Sequence, residues 1–109
     1  MPAYLLQLSY SPEILAAFIK KPQDRKVVIS KLAAQVGGTM VGAWLSFGEH
    51  DAVVIIEGGD NVSAAAISMA VSASGAFKAF KTTPLLTAEE GLEAMKKAGK
   101  LSYKPPTKK

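Results

Sequence analysis

The chain contains no cysteine, which excludes disulfides, thiolate catalysis and cysteine-based metal or iron–sulfur sites. That absence suits a cytoplasmic location. Histidine is nearly absent too: His50 is the only one. With no activated serine beside it, a catalytic triad is not expected, and Ser72-Ala73-Ser74-Gly75 does not form a nucleophile elbow. Neither a Walker-type phosphate loop nor a GxGxxG turn is present, so nucleotide binding by those routes is not expected. The glycine pairs Gly37-Gly38 and Gly58-Gly59 instead punctuate regular elements. No apolar run approaches the roughly 18–20 residues of a membrane span. The opening Met1-Pro2-Ala3-Tyr4 has no basic region followed by a long apolar stretch, so no signal peptide is expected.

What remains is the composition of one soluble globular domain: 109 residues, 49% apolar and 20% charged. The formal charge of +4 is unevenly spread. Six of the 13 basic residues, Lys96, Lys97, Lys100, Lys104, Lys108 and Lys109, lie at the C-terminal end. The other seven face all nine acidic residues, so residues 1–95 carry −2. A nucleic-acid-binding fold carries its positive charge on the folded surface; here it sits on a tail. Neither nucleic acid nor membrane is therefore expected as a partner. The expected division is a folded domain over residues 1–100 and a flexible basic tail over 101–109.

The pattern along the chain predicts an α+β fold. Ala3 to Tyr10 alternates as a strand, with Tyr4, Leu6, Leu8 and Tyr10 on one side. Pro12 opens a short helix to Lys20, and Pro22 redirects the chain. A second helix follows with Asp24 as its expected N-cap. Val28, Ile29, Leu32, Ala33 and Val36 form its apolar stripe, and Gly37-Gly38 its stop. Met40 to Phe47 and Val53 to Ile56 form a hairpin about Gly48. Four consecutive aliphatic residues in the second strand predict burial on both faces. A charge-free helix spans Val62 to Ser74. Val62, Ala65, Ala66, Met69, Ala70 and Ala73 make one face, and Ile67 and Val71 fall on its flank. So uncharged a helix is expected to be buried on more than one side, with a second subunit as a neighbour. Phe77 to Leu86 reads as an edge strand. Thr87 and Glu90 form a capping box for a last helix, whose expected inner face is Ala88, Leu92, Met95 and Leu101, with Glu93 and Lys97 paired. The order is the split β-α-β-β-α-β arrangement of ferredoxin-like domains with an extra C-terminal helix.

The same residues resemble the GYD-domain proteins, small bacterial and archaeal chains related to dimeric α/β-barrel proteins. The resemblance rests on Tyr4 to Tyr10, Pro22 with Arg25, Lys31 ahead of Gly37-Gly38, Gly48-Glu49-His50-Asp51, Val53 to Glu57, and Asp60 before the next helix. In place of the tyrosine of the glycine-tyrosine-aspartate signature this chain has His50, with Glu49 between it and Gly48. The resemblance implies a ferredoxin-like fold and a homodimer or higher assembly, and names no activity and no cofactor.

His50 is the candidate acid or base, since imidazole titrates near neutrality. Glu49, His50 and Asp51 would hold a metal only if the turn curled them together, because neighbouring strand residues point apart; no metal site is expected. Gln7, Ser9, Trp44, Phe47 and Lys81 are candidates for the uncovered sheet face, where a second copy would pack or a small molecule would bind. Two function classes follow. One is a homo-oligomeric binding or assembly module, holding a small apolar or amphipathic ligand at the sheet face or only itself. The other, by fold analogy, is a cofactor-independent enzyme of monooxygenase-like or isomerase-like type using His50.

Overall fold

A computed structural model describes residues 2–107 of the chain; Met1 and the tail lysines Lys108 and Lys109 lie outside the described residues. Strands β1 (Ala3–Tyr10), β2 (Gly38–Leu45), β3 (Ala52–Gly58) and β4 (Phe77–Leu85) form one antiparallel sheet in the order β2-β3-β1-β4. Helices α1 (Pro12–Lys20) and α2 (Lys26–Ala34) make the first crossover, and α3 (Asn61–Ala73) makes the second. Helix α4 (Ala88–Ala98) follows the last strand. This is the expected ferredoxin-like α+β order, with the first and third strands central.

Each boundary has a local cause. Ser11 caps α1 by accepting the Ile14 N–H at 3.3 Å, and Pro12 occupies the first turn, where no N–H is required. Pro22 breaks the crossover into two helices, because proline has no N–H to continue the first one. Helix α2 opens on Arg25 rather than Asp24. Asp24 lies one residue further out, and its Oδ1 accepts the Lys26 N–H at 2.9 Å, a local turn that competes with a true cap. Asp60 caps α3 through the Ser63 N–H, and the Thr87–Glu90 box on α4 is complete in both directions.

The core lies between the sheet and the helices: Tyr4, Leu6, Leu8, Ala33, Ala52, Val54, Ile56 and Ile67 are buried, with Ile29, Leu32 and Val36 of α2 packed against them. The Tyr4 hydroxyl donates to Asn61 Oδ1 at 2.7 Å, tying the first strand to the start of α3. Val28, expected in the α2 stripe, is exposed.

The burial expectations for β3 and α4 fail because this chain covers only one sheet face and packs nothing on α4, and in α3 the buried side is the flank that carries Ile67 and Val71. In β3 burial alternates instead of being continuous. Ala52, Val54 and Ile56 lie under the helices, while Val53 and Ile55 look out from the other face, half-buried. In α3 the residue pressed on the core is Ile67, with Ala64 and Val71 beside it. The face of Val62, Ala65, Ala66, Met69, Ala70 and Ala73 is turned outward, with Val62 78% and Met69 72% exposed, so within this chain the helix is buried on one side alone. In α4 no residue is buried; Ala88, Leu92, Met95 and, beyond the helix, Leu101 have nothing to pack on. Glu93 and Lys97 form no ion pair within 4 Å. The radius of gyration is 17.6 Å, against about 13 Å for a compact chain of this length. From Leu101 to Thr107 the chain is exposed and without regular structure.

Candidate functional site

The sheet register gathers four of the sequence-predicted residues on the uncovered face. Trp44 pairs with Val53, Val53 with Gln7, and Gln7 with Lys81, so one row crosses all four strands as Trp44, Val53, Gln7, Lys81. The adjoining row is Gly42, Ile55, Leu5 and Thr83. Gly42 serves a close approach: a Cβ there would stand 2.5 Å from the Trp44 ring, so the indole lies over the glycine. Ser9, one pair beyond Gln7 along the same face, is buried at the end of the row. Phe47 does not join it. It stands in the β2–β3 turn, fully exposed.

The turn that carries His50 is fastened from several sides. Gly48, at φ 124°, takes a backbone conformation that side-chain-bearing residues rarely adopt. Ser46 donates its hydroxyl to the His50 carbonyl at 2.8 Å, and its N–H to the Asp51 carbonyl at 2.8 Å. Asp51 donates its N–H to the Leu8 carbonyl at 2.8 Å, and its Oδ2 accepts the Tyr10 N–H at 2.9 Å. A β-bulge falls between Ser9 and Tyr10. That bulge lies on the β4 side of β1; on the β3 side the ladder ends at the Leu8–Ala52 pair, and the Asp51 carboxylate bonds the next donor on that side, the Tyr10 N–H. His50 lies toward Ser9, with Nδ1 3.4 Å from its hydroxyl, and the Ser9 hydroxyl also reaches the Glu49 carbonyl at 3.3 Å. Glu49 points into solvent, its carboxylate 3.9 Å from His50 Nε2. The three polar residues of the turn thus point different ways. Among the described residues no three metal-ligating side chains converge.

A second feature lies on the opposite, helix-covered side. Between α1, α2 and the β2–β3 end of the sheet is an open cavity of about 850 Å³. Its origin is sequence-local. Pro22 splits the crossover, so no continuous helix crosses this part of the sheet. The floor holds two alanines, Ala43 and Ala52, beside Val54, and small side chains leave the space open. Leu15 and Phe18 of α1 and Ile29 of α2 form the sides, and Leu45 and Phe47 the outer lip. Tyr10 closes one end, its ring edge-on to Phe18 with centroids 5.0 Å apart and stacked on Phe77 at 5.1 Å. Asp24, Arg25, Lys26 and Asp51 supply charge at the rim. Burial pushes the Tyr10 phenol above its ordinary value, a tendency that Arg25 opposes and Asp51 reinforces. Sequence periodicity places Tyr10 only on the apolar side of its strand. Its meeting with Arg25 and Asp51 depends on the break at Pro22 and on where the β1–β3 ladder ends, and neither writes a spacing into the sequence.

Comparison with known proteins matches the model of the family described as "GYD domain" to residues 4–95. No curated protein matches the chain. A solved structure entitled "crystal structure of FFRP-DM1" superposes with a TM-score of 0.51 at 16% identity, covering 79% of this chain and 100% of that one. At that identity the likeness concerns the fold. No helix among the described residues is long and apolar enough to cross a membrane.

Proposed function

The chain belongs to the GYD-domain family, and from that membership and the geometry above we propose that it is a self-assembling module, a homodimer or higher assembly joined through the uncovered sheet face. One observation carries this reading. The chain exposes 8275 Å² of accessible surface, whereas a folded monomer of 11.5 kDa exposes about 5,800 Å². The excess, about 2,500 Å², is larger than the roughly 800 Å² that one partner contributes to a standard interface. Much of that surface is apolar: the Leu5, Val53 and Ile55 face, Trp44, the outer side of α3 and the stripe of α4. At about 25 cal/mol per Å², burying about 1,000 Å² of it gains about 25 kcal/mol gross, above an association cost of about 4–15 kcal/mol.

The sheet faces pack against each other, with Trp44, Gln7 and Lys81 in the interface and room for a small amphipathic ligand beside the two polar groups. The uncharged α3, with Val62 and Met69 outward, is the surface for any larger assembly. Assembly is favoured over acid–base chemistry because the His50 turn is spent on structure: its carbonyl is bonded to Ser46 and its ring lies against Ser9. Sedimentation at micromolar concentration tests the proposal. The expected particle has at least twice the 11.5 kDa mass of the chain; a single-chain particle would refute it.

A further inference from the structure

The helix-side cavity is separate from the proposed interface, and its unspent polar groups are of one kind. Lys26 is paired with Asp24 at 3.9 Å. Asp51 already accepts the Tyr10 N–H. Arg25 has no ion pair within 4 Å among the described residues, and only its Nη1 is used, toward Gln23 Oε1 at 3.2 Å. The Tyr10 hydroxyl donates to no described residue, and burial keeps the phenol protonated at neutral pH. The cavity therefore presents two free donors, one of them a permanent cation, at the rim of an apolar chamber. Its volume lies within the roughly 300–1,000 Å³ of small-molecule sites, which pair apolar walls with a few orienting polar groups.

We propose that this cavity binds a small amphipathic carboxylate, its carboxylate held by Arg25 and the Tyr10 hydroxyl and its hydrocarbon body lying over Ala43 and Val54 between Leu15, Phe18 and Ile29. Guanidinium matches the planar, two-oxygen geometry of a carboxylate, and a charge-assisted hydrogen bond is roughly twice as strong as a neutral one. An uncharged amphiphile would satisfy the walls and leave the arginine unanswered. A phosphate ester has the charge, but this rim lacks the several convergent donors that three phosphate oxygens require.

The Trp44 indole lies over Gly42 on the other sheet face, so binding is read by calorimetry. The experiment titrates the full-length protein with decanoate and, as the uncharged control, 1-decanol, and takes affinity and the expected stoichiometry of one ligand per chain from isothermal titration calorimetry. The expected result is saturable decanoate binding that weakens at least tenfold in Arg25→Gln and several-fold in Tyr10→Phe. Lys20→Gln, a cation of α1 outside the cavity, should leave it unchanged, and 1-decanol should bind no more weakly to Arg25→Gln than to the parent. Arg25 is exposed, so its substitution leaves the fold intact, and far-UV circular dichroism verifies this. The proposal is overturned if decanoate fails to saturate, or if Arg25→Gln binds it as the parent does. It is equally overturned if binding appears only in Leu92→Glu/Met95→Glu, for then the α4 helix of another copy fills the cavity. Sedimentation of the same samples keeps the outcome separate from assembly, since the site lies on the other side of the sheet.

Discussion

His50 and Asp51 are neighbours in one turn, yet their side chains bear different loads. The Asp51 carboxylate bonds the Tyr10 N–H at 2.9 Å, just past the Leu8–Ala52 pair where the β1–β3 ladder ends and leaves that donor without a strand partner. Asp51→Ala leaves a part-buried N–H unpaired, a loss of about 1–3 kcal/mol. For a domain of this size that lowers the melting temperature by about 5–20 °C. His50 has only a 3.4 Å approach to Ser9 and a distant, exposed Glu49. His50→Tyr is therefore expected to melt within about 3 °C of the parent, a change of under about 1 kcal/mol. Thermal unfolding of the two variants in parallel checks both; a larger loss at His50 than at Asp51 would contradict this account of the turn. The sequence pointed to His50 because its chemistry is rare in this chain. What Asp51 does depends on where its strand stops pairing with β1, 41 residues away in the chain, which no local pattern announces.

At the scale of elements, most helix ends are legible and helix faces only in part: Ile29, Leu32, Ala33 and Val36 of the α2 stripe meet the core, and Val28 does not. The Thr87–Glu90 box and the Asp60 cap are short-range chemistry, written within four residues, and both are realised. The buried side of α3 is not legible because an alanine-rich, uncharged helix has little contrast between its sides. Ile67 and Val71 outweigh a broader band of smaller residues there, since they bury more area per side chain. The α4 stripe is legible, but no surface of this chain covers it. The caps also carry a pH dependence. The Ser63 backbone N–H holds the Asp60 carboxyl below its ordinary value, and the Thr87 backbone N–H does the same for Glu90. A depressed carboxyl contributes stability above its unfolded pKa and loses it as pH falls through the folded one. Both helix starts are thus expected to hold at neutral pH and to weaken below the ordinary carboxylate range near pH 4. Helix α4, with no buried residue, should fray first, while α3 is retained by Ile67. Amide exchange of residues 88–91 between pH 6 and 3 tests this. Amide protection of α4 that does not fall with acidification, or that falls equally in Glu90→Gln, which has no carboxyl to protonate at that position, would argue against the box as its anchor.

At the scale of the whole molecule, strand order is legible in the sequence and the exposure of one sheet face is not. Strand order followed from the alternation of Tyr4, Leu6 and Leu8 and from the aliphatic run of β3, which mark the two central strands. Burial of β3 on both faces was a property the sequence carried and the single chain does not fulfil, since Val53 and Ile55 remain half-buried. A second copy stacked on that face would complete the pattern, and this makes a sharp prediction at Leu5. Leu5 lies in the central strand opposite Ile55 and Thr83, on the side away from the helices. In an isolated chain, Leu5→Lys would place a charge in water and change little. In a face-to-face dimer, two-fold symmetry repeats the substitution in both copies, burying two unpaired like charges. Truncated or unpaired buried charges cost several kcal/mol each, and every 1.4 kcal/mol is tenfold in affinity. Leu5→Lys is therefore expected to weaken association by at least about a hundredfold, with far-UV circular dichroism unchanged. At micromolar concentration its sedimentation should shift toward a particle of 11.5 kDa. If Leu5→Lys assembles as the parent does, the sheet face is not the interface, and the excess surface must be buried through α3 and α4 instead.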